Sequence, residues 1–192
     1  MDVVLRAAPP PVALRGAPNG ISSRARPLGR MHLFEATTEA ELAVARSLIE
    51  EYAASLEIDL SFQGFREEVA RFPGDYAPPG GAVLLAYEEG EPSGVVALRP
   101  HGEATCEMKR LYVRPKFRGR GVGKALSEAL VRKAELLGYR KMRLDTLPTM
   151  DAAIGLYRSM GFREIPPYRF NPVPGAYFME LDLGAPSGEA VR

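Results

Sequence analysis

Residues 111–126 read LYVRPKFRGRGVGKAL. An apolar run that favours a strand ends at Pro115, basic residues and glycines follow, and an amphipathic pattern begins at Gly121. The spacing therefore predicts a strand, a glycine-rich loop and a helix in direct succession. This order brings backbone N–H groups, arginine side chains and the positive end of the helix dipole to one pocket, and such a pocket suits a pyrophosphate.

Two common phosphate-binding loops do not fit this spacing. A P-loop requires G-x-x-x-x-G-K-[ST], but Arg118 stands at its first glycine, and Ala125 replaces the Ser or Thr that binds magnesium. A dinucleotide-binding fingerprint requires G-x-G-x-x-G, and no register that starts at Gly119 or Gly121 ends on a glycine. The pattern that fits is [QR]-x-x-G-x-[GA], which begins at Arg118 and ends at Gly123.

This loop and its neighbours resemble the N-acetyltransferase (GNAT) superfamily. Residues 107–113 (EMKRLYV) resemble the family's fourth strand, residues 141–146 (KMRLDT) its fifth, and residues 152–162 (AAIGLYRSMGF) its A-x-x-L-Y-x-x-x-G-F helix. The resemblance is strong over roughly residues 104–166 and looser from about 31 to 183. It implies an α/β (α+β) fold of the GNAT type. Its central sheet is mixed and mostly antiparallel, with six to seven strands and about four helices on both faces. The fourth and fifth strands splay apart around the arm of acetyl-CoA.

Hydrophobic periodicity along the chain predicts elements that agree with this fold. Antiparallel strands come first and a β–α–β crossover follows, which implies a mixed sheet with helices on both faces. The predicted strands are residues 31–36, 82–87, 94–98, 105–113, 142–147, 162–165 and 176–183. The first predicted helix begins after the capping box at Thr38. Three further helices are predicted over residues 62–72, 121–138 and about 152–160.

Composition divides the chain into one domain and two tails. Residues 1–30 contain five prolines, five arginines and one acidic residue, a composition typical of a disordered segment, and we expect translation to begin functionally at Met31. The acetyltransferase domain is predicted over residues 31–184, and residues 185–192 are predicted to be a flexible tail. Without the first 30 residues the chain is mildly acidic, which argues against nucleic acid as a partner.

The sequence also argues against a disulfide, a metal centre and a membrane span. Cys106 is the only cysteine, and the two histidines lack metal-ligand spacing. No apolar run approaches the roughly 18–20 residues that span a bilayer. We therefore expect a cytoplasmic protein without a metal. A homodimer stays open because dimers are frequent in the family.

The resemblance implies a set of contacts to the co-substrate acetyl-CoA. Backbone groups of the loop would face the pyrophosphate, and the strand end before it would supply amides to the oxyanion. The expected cofactor-binding residues are Leu111, Tyr112, Val113, Arg118, Gly119, Arg120, Gly121, Val122, Gly123, Lys124 and Tyr157. A solvent-exposed surface role is an alternative for Arg120 and Lys124.

Three side chains are candidates for acid–base chemistry. By its position in the family's helix motif, Tyr157 would protonate the departing CoA sulfur, although packing of a buried aromatic ring is the alternative. By register, Glu107 and Asp145 each resemble a carboxylate that removes the amine proton in one branch of the family. Glu107 is the preferred base, but it could instead pair with Lys109 or Arg110 at an exposed strand end, and Asp145 could cap the end of its strand.

The predicted function is direct transfer of an acetyl group from acetyl-CoA to a primary amine in a ternary complex. A non-catalytic acyl-CoA-binding or sensor domain is the alternative, and RNA binding through Arg118 and Arg120 is a third hypothesis that the acidic domain disfavours. The acceptor, a small molecule or a peptide, stays open. One wall of its site could be formed by Tyr168, Phe170 and Asn171, or these residues could belong to a purely structural loop.

Overall fold

The computed structural model describes residues 31–56 and 64–184. The predicted tails, 1–30 and 185–192, lie outside the described residues, as does the start of the helix predicted at 62–72. None of the described helices is both long and apolar enough to cross a membrane. The described residues also hold no group of three His, Cys, Asp or Glu side chains placed to bind one metal ion.

In residues 31–56 and 64–184, seven strands form one mixed sheet, as predicted, in the order β1-β2-β3-β4-β5-β7-β6. The pair formed by β4 and β5 is parallel, and the other neighbouring strands are antiparallel. The strands are β1 (His32–Glu35), β2 (Ala82–Glu88), β3 (Glu91–Pro100), β4 (Thr105–Val113), β5 (Lys141–Thr146), β6 (Arg163–Glu164) and β7 (Tyr177–Asp182).

Within the described part of the chain, four α-helices accompany the sheet: α1 (Glu39–Ala54), α2 (Phe65–Ala70), α3 (Val122–Leu136) and α4 (Asp151–Ser159). The predicted capping box is present at the start of α1, where the Thr38 hydroxyl accepts from the Glu41 amide and the Glu41 carboxylate accepts from the Thr38 amide. Gly138, with a φ of 84°, follows α3 where the sequence predicts its end.

The turn between β2 and β3 is tighter than the sequence predicts. The predicted strands 82–87 and 94–98 leave residues 88–93 between them, but in the structure both strands continue to a two-residue turn at Glu89 and Gly90. Both residues have a positive φ, of 56° and 81°, which matches the right-handed twist of a hairpin. The rigid Pro92 therefore lies inside β3, beside the turn, rather than in a loop.

The central strands are buried on both faces because helices cover both. Leu84 and Val96 pack against α3, whereas Val83 and Leu85 point to the opposite face and pack against α1. Continuous apolar runs, rather than strict alternation, are typical of strands covered on both sides. These two apolar cores hold the sheet between the helices. The boundary between β4 and β5 lies at the centre of the sheet.

β4 and β5 separate soon after they meet. In the described chain their ladder covers only Thr105–Glu107 and Lys141–Arg143, although β4 continues to Val113 and β5 to Thr146. On its other side, β4 bulges against β3, where two residues, Arg110 and Leu111, stand opposite Val96. The expected gap between the two strands is therefore present, with an irregular strand along one side.

Candidate active site

An open cleft occupies the gap between β4 and β5. Its described lining comes from both strands, from the start of α4, from α1 and from the segment that connects β6 to β7. The lining residues are Tyr52, Leu56, Met108, Lys109, Arg110, Leu111, Leu144, Asp145, Thr146, Leu147, Met150, Ala153, Tyr157 and Asn171. Thus the predicted residues Leu111, Asp145 and Tyr157 meet in one cleft.

The glycine-rich loop follows β4 and presents bare backbone at the start of α3. Gly119 and Gly121 have positive φ values of 76° and 84°, and a Cβ on either would meet no described atom within 4 Å. No side chain in the described chain caps α3, and its first turn carries no acidic residue. Unsatisfied N–H groups, the helix dipole and open space above the glycines together fit a bound phosphate group.

Two of the predicted loop cations point away from this backbone. Arg120 approaches Glu88 and Glu89 of the β2–β3 hairpin, at 3.5 Å and 3.6 Å, and Lys124 approaches Glu128 one helical turn along α3. Arg118 instead closes the loop, because its Nε donates a 3.1 Å hydrogen bond to the Val113 carbonyl at the end of β4. Of the three cations, Arg118 is the one held beside the glycines.

The side chains around the loop are core residues. Val122 is buried against the sheet, and Tyr112 packs with Tyr52 on the α1 side. Val113 lies across from Gly123, whose added Cβ would stand 3.6 Å from the Val113 side chain. Any contact from this strand end to a bound acyl group would therefore use the backbone, as the sequence suggested for Tyr112 and Val113.

The bulge in β4 is held by a buried ion pair. Arg110 adopts a positive φ of 58°, which is unusual for a residue with a Cβ. Its guanidinium donates two hydrogen bonds of 2.8 Å to the Glu68 carboxylate on α2 and lies over the Phe65 ring. This bidentate pair joins α2 to β4 and keeps the irregular backbone in place.

Glu107 is fully buried, and both of its carboxylate oxygens are engaged. One oxygen accepts from Arg99, at 2.6–2.8 Å, and the other accepts from the Tyr168 hydroxyl at 2.8 Å and from Arg169 at 3.1 Å. Burial alone would raise the pKa of this carboxyl, but Lys109, Arg99, Tyr168 and Arg169 outweigh burial and lower the pKa to about 2. Such a carboxylate is poorly suited to accept a proton near neutral pH.

Asp145 lies on the opposite strand and reaches the cleft. Its carboxylate accepts from the Lys109 ammonium at 3.0 Å and from the Asn171 side-chain amide, also at 3.0 Å. Lys109 is nearly completely buried, and burial lowers its pKa, although Glu107 and Asp145 oppose that shift. Lys109 therefore links the two predicted carboxylates, because its ammonium is also 3.9 Å from Glu107.

The segment between β6 and β7, residues 165–176, forms one side of this polar cluster; we call it the proline-rich loop. Tyr168 and Asn171, which the sequence singled out, bind Glu107 and Asp145, whereas Phe170 is exposed. Sequence reasoning named Lys109 as a possible partner of Glu107, and its ammonium does approach that carboxylate. It missed Arg169 and Arg99, because single cations on a loop and on a strand carry no spacing signal of their own.

Tyr157 lies in the cleft on α4 and packs against Phe162, with ring centroids 5.7 Å apart. Burial raises the pKa of its hydroxyl, so the group stays protonated at neutral pH and is able to donate a proton. Met150, directly before α4, also lines the cleft, and its sulfur lies 3.5 Å from the Thr146 hydroxyl.

Comparison with known proteins agrees with this geometry. The sequence profile of the Acetyltransferase (GNAT) family matches residues 45–162. An uncharacterized N-acetyltransferase of Schizosaccharomyces pombe is 42% identical over 140 residues, which cover 72% of this chain and 86% of that protein. N-acetylaspartate synthetase of Rattus norvegicus is 39% identical over 89 residues, which cover 46% of this chain but only 30% of that protein.

Solved structures show the same fold. The crystal structure of a GNAT-family acetyltransferase from Staphylococcus aureus Mu50 superimposes with a TM-score of 0.67. The alignment covers 81% of this chain and 100% of the other, at 19% sequence identity. At that identity the likeness concerns the fold alone.

Proposed function

Because this chain belongs to the acetyltransferase (GNAT) family and is an N-acetyltransferase, using acyl-CoA as its donor, we propose that it transfers an acetyl group directly to a primary amine. Donor and acceptor would be bound together in a ternary complex. The observation that supports this proposal is the single cleft between β4 and β5, because it joins an acidic side chain, a protonated tyrosine and a strand that leads into the glycine-rich loop.

Binding of acetyl-CoA is proposed at that loop and in the gap. The N–H groups at the start of α3 and around Gly119 and Gly121 would hold the pyrophosphate, with Arg118 beside them. The irregular edge of β4 at Leu111 would receive the acyl end of the thioester, and backbone amides near Tyr112 and Val113 would stabilise the oxyanion. This assignment leaves Arg120 and Lys124 with weaker, surface electrostatic roles.

For deprotonation of the amine, the contacts favour Asp145 over Glu107. An ammonium group must lose its proton before its nitrogen can attack the thioester carbonyl. Both carboxylates are hydrogen-bonded, but Asp145 lines the cleft, whereas Glu107 lies behind it and has a pKa lowered to about 2. We assign Glu107 a positioning role, since it holds Arg99, Tyr168 and Arg169 in place.

Collapse of the tetrahedral intermediate breaks the bond from carbon to sulfur, and the CoA thiolate then requires a proton. Tyr157 is the proposed donor because its hydroxyl lies in the cleft and burial keeps it protonated. In this scheme Asp145 receives the proton of the ammonium and Tyr157 supplies the proton of the thiol. The two groups then re-equilibrate with solvent between turnovers.

The name of one relative bears on the chemical class of the acceptor. The name of the R. norvegicus protein says that it makes N-acetylaspartate. That name supports testing small amines before proteins. Cytoplasmic location, specificity for acetyl-CoA and a homodimer remain predictions.

The experiment that tests the function is titration calorimetry of the full chain with acetyl-CoA, CoA and ATP, followed by a thiol-release assay with amine acceptors. We expect micromolar binding of acetyl-CoA and CoA, weak or undetectable binding of ATP, and release of CoA that depends on an amine. Failure of a folded protein to bind either CoA species would contradict the proposal.

A further inference from the structure

An amine of the protein itself lies in the gap between β4 and β5. Lys109 belongs to β4, but its side chain reaches across to β5, where its Nζ lies 3.0 Å from the Asp145 carboxylate. Lys109 also lines the cleft that contains Tyr157, and it stands two positions before Leu111, where the acyl end of the thioester is proposed to bind. The Lys109 amine is therefore close to all three parts of the proposed reaction.

The contact between Lys109 and Asp145 has the geometry of a base and its substrate. In the proposed mechanism Asp145 removes a proton from the ammonium group of the acceptor. A general base must lie within hydrogen-bond reach of that proton, with the two heavy atoms about 2.6–3.2 Å apart. At 3.0 Å, the Lys109 ammonium has the position relative to Asp145 that an acceptor ammonium must take.

Burial favours the neutral, nucleophilic form of this lysine. The side chain of Lys109 is only 5% exposed, and burial lowers its pKa, although Glu107 and Asp145 oppose that shift. At the surface the effect is the opposite, since a hydrogen bond from Lys141 to Glu180 raises the pKa of Lys141. A lysine amine that is withdrawn from water is a better nucleophile because less of it is protonated.

We propose that Lys109 is a site of self-acetylation, at which the enzyme modifies its own side chain with the acetyl group of bound acetyl-CoA when no other amine is present. This inference rests on the proposed acetyltransferase function and adds a modification site within the same cleft.

The transfer forms a bond from the Lys109 Nζ to the carbonyl carbon and breaks the bond from that carbon to sulfur. The ammonium gives one proton to Asp145 before the attack, and the nitrogen loses a second proton as the amide forms. Tyr157 protonates the CoA thiolate and regains a proton through solvent. Each chain yields one acetyllysine, one CoA and one proton released from Asp145.

Exposure separates this reaction from uncatalysed chemistry. Acetyl-CoA also reacts directly with exposed lysines, and the side chains of Lys116, Lys124 and Lys141 are between 45% and 63% exposed. Without catalysis these three should be modified first and the buried Lys109 last. Self-acetylation in the cleft reverses this order.

The test is incubation of the full chain with acetyl-CoA that carries deuterium in its acetyl group, in an amine-free buffer. Intact mass and peptide mapping then follow the label over time. We expect one labelled acetyl group per chain at Lys109, gained about tenfold or more faster than at Lys116, Lys124 or Lys141. Label that enters the exposed lysines first, or never enters Lys109, would overturn the inference.

Variants show whether the cleft performs the transfer. Tyr157→Phe should slow labelling of Lys109 about tenfold or more, while the exposed lysines react as in wild type. Lys109→Arg keeps the positive charge between the carboxylates and should remove the single labelled acetyl group. Lys141→Arg is the matched control, because Lys141 also approaches two carboxylates, those of Glu180 and Asp182, but lies outside the cleft. Equal labelling of Lys109 in wild type and Tyr157→Phe would contradict catalysis.

Two further results have a defined meaning. An unlabelled acetyl group already on Lys109 supports the inference where Tyr157→Phe, purified in the same way, lacks it, and contradicts the inference where both proteins carry it. Calorimetry separates this inference from the function: if the full chain binds acetyl-CoA but Lys109 stays unmodified, self-acetylation is wrong and the transferase function stands. If the chain does not bind acetyl-CoA, both proposals fall together.

Discussion

The hydroxyl of Tyr168 donates a 2.8 Å hydrogen bond to the buried carboxylate of Glu107. This bond joins the proline-rich loop to β4, and the adjacent Arg169 approaches the same oxygen. The Tyr168 ring also packs edge-on against Phe178 of β7. A side chain of the central sheet therefore sets the position of a loop that forms one wall of the cleft.

Replacement of Tyr168 by phenylalanine should weaken this connection. The ring packing stays, but a buried carboxylate loses one donor, and we expect a loss of about 1–3 kcal/mol in the free energy of unfolding, measured by urea denaturation. Tyr139→Phe is the control, since the Tyr139 hydroxyl donates to the uncharged Gly80 carbonyl at 2.8 Å and its loss should cost only about 0.5–1.5 kcal/mol. Equal losses in the two variants would argue against the charge-assisted bond.

Two glycines of the phosphate-binding loop should respond to alanine in opposite ways. Gly121→Ala forces a Cβ into a positive φ of 84°, so we expect a loss of about 1 kcal/mol in stability and weaker binding of CoA. Gly123 has no such φ, and its Cβ would make an ordinary 3.6 Å contact, so Gly123→Ala should preserve stability or raise it by about 0.5 kcal/mol. Thermal unfolding and titration with CoA check both changes.

The fold follows closely from local sequence signals. The capping box at Thr38 and the glycine after α3 mark helix ends because each satisfies backbone groups locally. The apolar runs of β2 and β3 show that both faces of these strands are buried. The proline-rich stretch after β6 likewise predicts a long connection, since Pro residues interrupt regular ladders.

The polar cluster could be predicted only in part, because its contacts join residues far apart in sequence. The register of Glu107 and Asp145 indicates two carboxylates near the cleft, but it does not show which one is enclosed by cations. Arg169 reaches Glu107 across 62 positions of sequence. A contact of that kind depends on loop geometry, and neither periodicity nor a motif encodes it.

Acidification should reveal the buried charge of Glu107. Its pKa falls from an ordinary 4.5 to about 2 on folding, so the unfolded chain takes up the proton first. The contribution of Glu107 to stability, about 3 kcal/mol, is complete above about pH 5 and is lost as pH falls towards 2. Urea denaturation between pH 7 and pH 3 should show a steeper loss for wild type than for Glu107→Gln. Parallel slopes in the two proteins would contradict the lowered pKa.

Asp145→Asn tests the proposed base. An amide cannot accept the ammonium proton, and we expect kcat to fall about 10²-fold or more. Affinity for acetyl-CoA, measured by calorimetry, should change little. Asp182→Asn is a suitable control, because Asp182 is exposed at the end of β7, 4.0 Å from Lys141, and away from the cleft. A nearly normal rate for Asp145→Asn would show that another group accepts the ammonium proton.

Tyr157→Phe tests the proposed acid with a minimal change. The ring and its packing against Phe162 are retained, so the fold and the affinity for acetyl-CoA should stay close to those of wild type. Loss of the hydroxyl should lower kcat by about 10²-fold, because the CoA thiolate then leaves without a positioned proton donor. Tyr177→Phe, on β7, controls for removal of a hydroxyl elsewhere and should keep its rate. An acetyl thioester whose thiol has a low pKa should recover part of the loss in Tyr157→Phe, since its thiolate leaves without protonation. An unchanged rate in Tyr157→Phe with acetyl-CoA would remove Tyr157 from the mechanism.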